Sequence, residues 1–373
     1  MAIEKKILII PGDGIGSEVT QQSLKVLKAI AHKYKHQFQY QYAEMGAVAI
    51  EKYGTPLPAA TIELALESDA ILFGTIGHPK YDNDPTASIR PEQGLLELRR
   101  ILQLYANIRP VTVYPSMLQL SPLKESHIAG TDLIIYRELT GGIYFGNKTY
   151  NQQTATAADE CVYSKTEIER IAVKAFKHAQ IRRKKLCLVD KANVLETSRL
   201  WRSVVQELSA QFPDVQVDYL YIDNALTQML LKPQQFDIIL TENLFGDIMS
   251  FEANIIAGSL GLASSCSVGN FTAMFEPIHG SYPAAAGKDI ANPIGSILST
   301  ALMMEYFGLP KEADIIREGV NWTLKNKFVT KDIDPINFYF TSTIGDLVSE
   351  FVITNISDSV NHENIELRKS TVI

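Results

Sequence analysis

At 373 residues, 46% of them apolar and 21% charged, the chain is long enough for two globular domains and too apolar for a disordered one. A formal net charge of -7 argues against a nucleic-acid binder. No apolar run approaches the length of a membrane span, and Ile7–Ile10, behind Glu4, Lys5 and Lys6, is too short for a signal-peptide core. Cys161, Cys187 and Cys266 are odd in number, far apart and without a CxxC pair. Neither a disulfide framework nor a zinc–thiolate site is expected, and a reducing, cytoplasmic home fits.

In chain order, Ile7–Ile10 reads as a buried strand and is followed by Pro11-Gly12-Asp13-Gly14-Ile15-Gly16. A dinucleotide fingerprint starting at Gly12 requires glycine at 17, which is Ser17, so the Rossmann pattern is not met. Two accounts of the loop stay open: a tight turn needing positive φ, or backbone held close to a ligand. Glu18–Tyr34 carries Val19, Leu24, Val26, Leu27 and Ile30 at helical spacing; Ala70–Phe73 is a strand; Leu95–Leu104 is a helix bearing Arg99 and Arg100. Thr131–Arg137 reads as a strand, Gly141-Gly142 as a turn and Ile143–Phe145 as another strand, while the polar residues 147–158 suit an extended arm. Leu186–Asp190 and Ile238–Leu240 are strands followed by helical patterns near 193–211 and 247–260. After about Val352 the chain turns polar, as a surface extension does. Strands alternating with helices predict an α/β fold with parallel pairing.

Several groups of residues carry chemistry. Arg99, Arg109 and Arg137, with Tyr144 shortly after the Gly141-Gly142 turn, could converge on carboxylates or form unrelated surface ion pairs. Lys191, at the carboxyl end of a strand in Asp190-Lys191-Ala192-Asn193, reads as a general base or as a solvated neighbour of a capping Asn193. Asp223 and Asp247 sit at element ends, the latter where a helix is expected to open, and suit either caps or a hard cation. One turn beyond Asp247 stands Phe251, where a second carboxylate would complete a metal helix. Phe275-Glu276-Pro277-Ile278-His279-Gly280-Ser281 and Gly287-Lys288-Asp289-Ile290-Ala291-Asn292-Pro293 describe either a loop holding a nucleotide or a rigid loop alone.

Together these pieces resemble the β-decarboxylating isocitrate/isopropylmalate dehydrogenase family, from Pro11 to about Glu350. The likeness rests on Arg90-Pro91-Glu92-Gln93-Gly94-Leu95-Leu96-Glu97-Leu98-Arg99, Asn107-Ile108-Arg109-Pro110, Arg137-Glu138-Leu139-Thr140-Gly141-Gly142-Ile143-Tyr144-Phe145-Gly146, Asp190-Lys191-Ala192-Asn193-Val194-Leu195 and Asn243-Leu244-Phe245-Gly246-Asp247, in the family's order. It implies a two-domain α/β fold that is not a Rossmann fold. The cofactor-side domain would comprise residues 1–104 and 258–352. A substrate, metal and dimerisation domain would span 105–257 with an arm at 140–160, and a polar extension 353–373 would follow. It also implies a homodimer with active sites shared between subunits.

The implied reaction is NAD-dependent oxidative decarboxylation of 3-isopropylmalate, in leucine biosynthesis. By the resemblance, Arg99, Arg109 and Arg137 grip the substrate carboxylates, and Glu92, Leu95 and Leu96 receive the isopropyl group. Asp247, with Asp223 of the partner subunit, binds Mg²⁺ or Mn²⁺ and the substrate. Lys191, also of the partner subunit, helps to take the hydroxyl proton, and Tyr144 protonates the enol. Glu276, His279, Gly280, Ser281, Ala291 and Asn292 line the NAD site.

Two positions depart from the family pattern. Phe251 replaces an aspartate of the metal helix, a gap that Glu252 or water could fill. Ala284 replaces the aspartate that holds the adenosine ribose; nothing basic replaces it in that segment, which keeps NAD as the expected cofactor. Three readings survive: an isopropylmalate enzyme tolerating Phe251, a sibling acting on another 2-hydroxy acid such as D-malate, tartrate, isocitrate or homoisocitrate, and a variant that binds without turnover.

Overall fold

The computed structural model describes residues 2–84 and 87–354. Its strands, in chain order, are β1 (Glu4–Gly12), β2 (Gln37–Tyr42), β3 (Ala70–Thr75), β4 (Ala106–Thr112), β5 (Asp132–Glu138), β6 (Lys148–Asn151), β7 (Thr156–Asp159), β8 (Lys185–Asp190), β9 (Gln216–Tyr221), β10 (Ile238–Thr241), β11 (Ser264–Val268) and β12 (Ala273–Pro277). The chain forms two compact units. One is Met1–Leu102 with Ser259–Cys266 and the chain from Asn270 onward; the other is Gln103–Gly258 with Ser267–Gly269. The architecture is mixed α/β, as the alternation of patterns predicts.

In the first unit the strand order is β2-β1-β3-β12-β11. β1 runs parallel to β2 and β3, and β12 runs parallel to β3. Every residue of β3 and β12 is buried, which is why Ala70–Phe73 reads as an unbroken apolar run rather than an alternating one; β12, with Glu276 in it, carries no such signal and is a strand where the sequence suggests a loop. The carboxyl ends of β1, β3 and β12 therefore open on the same side, where ligands of α/β sheets gather. The loop after β1 is held there by its backbone. Asp13 N–H donates to the Thr75 carbonyl at 2.8 Å, and Ile15 N–H to the Ser281 carbonyl at 2.8 Å. A Cβ on Gly12 or Gly14 would stand 2.0 Å from those same carbonyl oxygens, and both glycines have positive φ, 70° and 58°. The first account of this loop, a tight turn at positive φ, thus holds, and the backbone it packs against is the protein's own.

Asp13 is not a ligand group in waiting. Its carboxylate is buried and accepts backbone N–H groups from Ala47 at 2.9 Å, Val48 at 3.0 Å and Gly77 at 2.9 Å. It ties together the loops after all three leading strands.

In the second unit the order is β4-β5-β10-β8-β9, parallel except for the β4–β5 pair. Helix Asn243–Ile256 covers one face, packing Met249, Ala253 and Ile256 on Ile135, Val189 and Ile239. This helix opens at Asn243, so Asp247 lies one turn inside it and not at the strand-to-helix junction that the sequence suggests. Ile143–Phe145 is not a strand either: residues Gly142–Tyr144 form one 3-10 turn. The physical reason is Glu138, whose buried carboxylate accepts Thr140 N–H at 3.0 Å and Gly141 N–H at 2.7 Å and bends the chain at once. The expected arm is an antiparallel hairpin, with Lys148 opposite Asp159 and Asn151 opposite Thr156. Of the expected polar extension, residues 353 and 354 close helix Thr341–Thr354; 355–373 lie outside the described residues. No helix among the described residues is long and apolar enough to cross a membrane.

Replacing Asp13 by Ala strands three buried backbone donors. Unfolding in urea should show a loss of about 3 kcal/mol or more, and an unchanged midpoint would refute the hub role.

Candidate active site

β4 and β5 pair so that Asn107 stands opposite Arg137, with Arg109 two residues along β4 on the same face. That face also carries Val111, Leu133 and Ile135, packed in the core that helix Asn243–Ile256 covers. Two guanidiniums thus lie at the edge of an apolar layer, where burial demands oxygen partners. Arg109 Nε donates to Asn107 Oδ1 at 2.5 Å, and Arg137 donates through Nε at 2.9 Å and Nη2 at 2.7 Å to Asn243 Oδ1. Both guanidiniums then reach Asp247 Oδ1, Arg109 at 3.4 Å and Arg137 in a shorter contact. The second oxygen of Asp247 accepts the Tyr144 hydroxyl at 3.1 Å. Asp247 remains 28% exposed, so the cluster opens to solvent through its carboxylate.

Tyr144 is placed by its turn. A Cβ on Gly142 would lie 2.2 Å from the Tyr163 hydroxyl, and that hydroxyl accepts Asn243 N–H at 2.9 Å. Burial, reinforced by the Asp247 charge, pushes the Tyr144 phenol above its usual pKa. The phenol therefore stays protonated at neutral pH, the state a proton donor needs.

Lys191 and Asp223 face each other in this same chain, Nζ to Oδ2 at 3.1 Å. Lys191 follows β8 and Asp223 opens the helix after β9. Arg202 fixes this corner: it grips Asp190 at 2.9 and 2.8 Å and lies over the rings of Tyr219 and Tyr221. The Lys191 ammonium holds the Asp223 carboxyl below its usual range.

No cluster of three or more His, Cys, Asp or Glu side chains able to hold a metal occurs among the described residues. One chain offers Asp247 as a half-exposed carboxylate and Asp223 beside Lys191, which fits half of a divalent site. Phe251 adds nothing to it and joins Ile248 and Ile255 in an exposed apolar stripe, 43, 49 and 48% accessible. Glu252 does not fill the gap. It is five residues from Asp247, about 140° around the helix, and burial raises its carboxyl to about 7.

In the first unit, Arg99 and Glu276 are buried and paired at 2.7 Å. On the same helix as Arg99, Pro91–Ile101, Leu95 is buried and Leu96 half-buried, while Glu92 Oε1 lies against Gly77. A cavity of about 370 Å³ opens beside the β1 loop. Its walls include His279, Gly280, Ala291 and Asn292 from the sequence reading, but not Glu276, which pairs with Arg99, nor Ser281, whose carbonyl accepts Ile15 N–H. Ile15, Ile290, Lys331 and Asp332 also form its wall. His279 Nε2 is buried without a hydrogen-bond partner among the described residues, and burial keeps the imidazole below its usual pKa and hence neutral. Apolar walls and one orphaned ring nitrogen suit a nucleobase.

Sequence reading missed Asn107, Asn243 and Tyr163, which hold the cluster, and Lys331 and Asp332, which wall the cavity. The asparagines were adjacent to predicted residues, in the same motifs. Lys331 and Asp332 carry no local signal, being some way downstream in a polar loop.

A sequence profile of the family described as isocitrate/isopropylmalate dehydrogenase matches residues 6–348. The 3-isopropylmalate dehydrogenase of Oceanobacillus iheyensis is 48% identical over 363 residues, covering 96% of this chain and 99% of that protein. That of Bacteroides fragilis strain YCH46 is 47% identical over 328 residues, 88% of this chain and 92% of that one. Among solved structures, isocitrate dehydrogenase from Methylococcus capsulatus superposes with a TM-score of 0.85 at 32% identity, covering 94% of this chain and all 100% of that one.

Glu242, just before Asn243, is buried, and one of its oxygens has no partner among the described residues; burial and then Asp190 raise its carboxyl to about 7. A folded-state value above the unfolded one makes stability fall as pH rises from about 4.5 to 7, by up to ~3 kcal/mol. Glu242→Gln lacks this loss. Urea unfolding at pH 5 and pH 8 should show the variant gaining on the parent at pH 8 only; an equal difference at both pH values would refute it.

Proposed function

The chain belongs to the isocitrate/isopropylmalate dehydrogenase family, and from that premise we propose that it oxidises and decarboxylates 3-isopropylmalate to 4-methyl-2-oxopentanoate in leucine biosynthesis, in the cytoplasm. One observation carries the chemistry: two buried guanidiniums and a protonated phenol converge on one solvent-facing carboxylate. The names of the most similar relatives support isopropylmalate over isocitrate, and Leu95 and Leu96 suit an isopropyl group.

Arg109 and Arg137, with Arg99, bind the substrate carboxylates through charge-assisted hydrogen bonds. Lys191 of the partner subunit, as the free amine, helps to take the proton of the C2 hydroxyl, and Tyr144 delivers one to C3 after carbon dioxide leaves. Asp247 and Asp223 of the partner subunit would hold Mg²⁺ or Mn²⁺, which supplies Lewis-acid stabilisation of the charge on the C2 oxygen. His279, Gly280, Ala291 and Asn292, with Glu276 and Ser281, would hold NAD, which would supply a hydride acceptor. A homodimer follows from the half-site: Lys191 and Asp223 face outward as a pair, and Ile248, Phe251 and Ile255 form an uncovered stripe beside Asp247. Phe251 favours a second reading, binding with little turnover, because it leaves the metal a carboxylate short.

With saturating Mg²⁺, NADH formation should favour 3-isopropylmalate over isocitrate and D-malate by about tenfold or more in kcat/KM. No turnover of any of them would sink the first reading. Tyr144→Phe should lower kcat about 100-fold or more with little change in KM. Phe251→Asp should lower the Mg²⁺ concentration for half-maximal rate; no change would show that the missing carboxylate costs nothing.

A further inference from the structure

Arg137 and Glu138 are neighbours at the end of β5, so their side chains leave the strand on opposite faces. Arg137 goes to the cluster around Asp247. Glu138 is fully buried and holds the start of the turn that carries Tyr144. Its Oε1 accepts the Thr140 hydroxyl at 2.8 Å as well as Thr140 N–H, and its Oε2 accepts Gly141 N–H. Burial pushes this carboxyl above its usual pKa, and Thr140, Gly141 and Arg170 pull it back. Arg170, on helix Lys165–Ile181, is the one cation paired with Glu138 among the described residues, Nη2 to Oε1 at 3.5 Å. The same Nη2 donates to Thr140 Oγ1 at 2.6 Å, so the hydroxyl relays between guanidinium and carboxylate. The guanidinium itself lies over the Tyr105 ring at 4.6 Å, and the Tyr105 carbonyl accepts Leu139 N–H at 2.9 Å. Arg170 thus braces the chain on both sides of Glu138 without bonding to Asp247 or to the Tyr144 hydroxyl.

We propose that Arg170 is a positioning residue for the proton donor: it pairs with Glu138, orients the Thr140 hydroxyl, and through them fixes the turn that brings Tyr144 to Asp247. The proposal rests on the reading of Tyr144 as the group that protonates C3. Removing the guanidinium leaves a buried carboxylate without its cation at the start of that turn. Arg137 is insulated from the change, because β5 is paired there on both sides, with Asn107 and Thr241. Substrate binding and hydride transfer therefore survive the loss of Arg170, and the later protonation does not.

Stopped-flow and steady-state rates of NADH formation, with 3-isopropylmalate and saturating Mg²⁺ and NAD, test it on the full chain. Arg170→Met should lower kcat about tenfold or more and leave KM within about threefold. It should keep a fast first-turnover burst of NADH, because hydride transfer precedes the protonation. Arg170→Lys, which keeps the charge, should recover most of kcat. Glu138→Gln should show the same loss, and adding Arg170→Met to it should cost little more, since both act through one turn. That double variant leaves no buried charge unpaired and serves in place of Arg170→Met if the single variant does not fold. Unchanged kcat, a burst slowed as much as kcat, or independent losses in the double variant would overturn the proposal and leave the proposed function standing. If the parent turns over no substrate, the proposed function fails, and crystal structures decide. A Tyr144 hydroxyl drawn away from Asp247 in Arg170→Met, or in the double variant, upholds the positioning role; an unmoved one ends it.

Discussion

A guanidinium buried at the end of a β-strand must be answered with oxygen, and the second unit is organised around answering Arg137. The strand holds it beneath helix Asn243–Ile256, at the limit of an apolar layer. Asn243 gives it an acceptor from the first residue of that helix, and Asp247 gives it a charge one turn later. Meeting both fixes where the helix begins and how it is rotated. The same rotation sends Met249 and Ala253 into the core and leaves Ile248, Phe251 and Ile255 outside. Tyr163 closes the arrangement from behind, because its hydroxyl serves Asn243 while its ring excludes a side chain at Gly141 and Gly142. Tyr144 arrives at Asp247 because the turn before it has no other way to run.

Much of this was legible in the residues. Parallel central strands announce themselves as continuous apolar runs, and Ile7–Ile10 and Ala70–Phe73 are the buried cores of strands of nine and six residues. Arg109, Arg137, Tyr144 and Asp247 were named from motifs, and they do meet. What failed was local geometry set by side chains. No serine, threonine or aspartate caps helix Asn243–Ile256, so its start could not be read. A β-like triplet at Ile143–Phe145 was overridden by a carboxylate at Glu138 that captures backbone N–H groups. The cavity wall was invisible for another reason: Ile15, His279 and Lys331 are far apart in sequence, and strand order brings their loops to one side.

The two acidic positions beside the active cluster differ in what surrounds them. Asp247 is a carboxylate held between the Arg109 and Arg137 guanidiniums. Glu242 is a carboxylate in an apolar wall beside another acid, pushed towards neutrality. They are five residues apart on either side of a helix start. The ion pairs thus lie at the mouth of the site, while the carboxyl behind them is the one that burial pushes towards neutrality.

The hairpin of β6 and β7 carries a separate implication. Every residue from 147 to 160 is exposed in the single chain. A two-stranded ribbon with no buried face is marginally stable in water. Its hydrogen bonds open at little energetic cost, so its amides are the natural first place to follow dilution by isotope exchange. Its peptide bonds are likewise the natural first target of a protease whenever nothing lies across it.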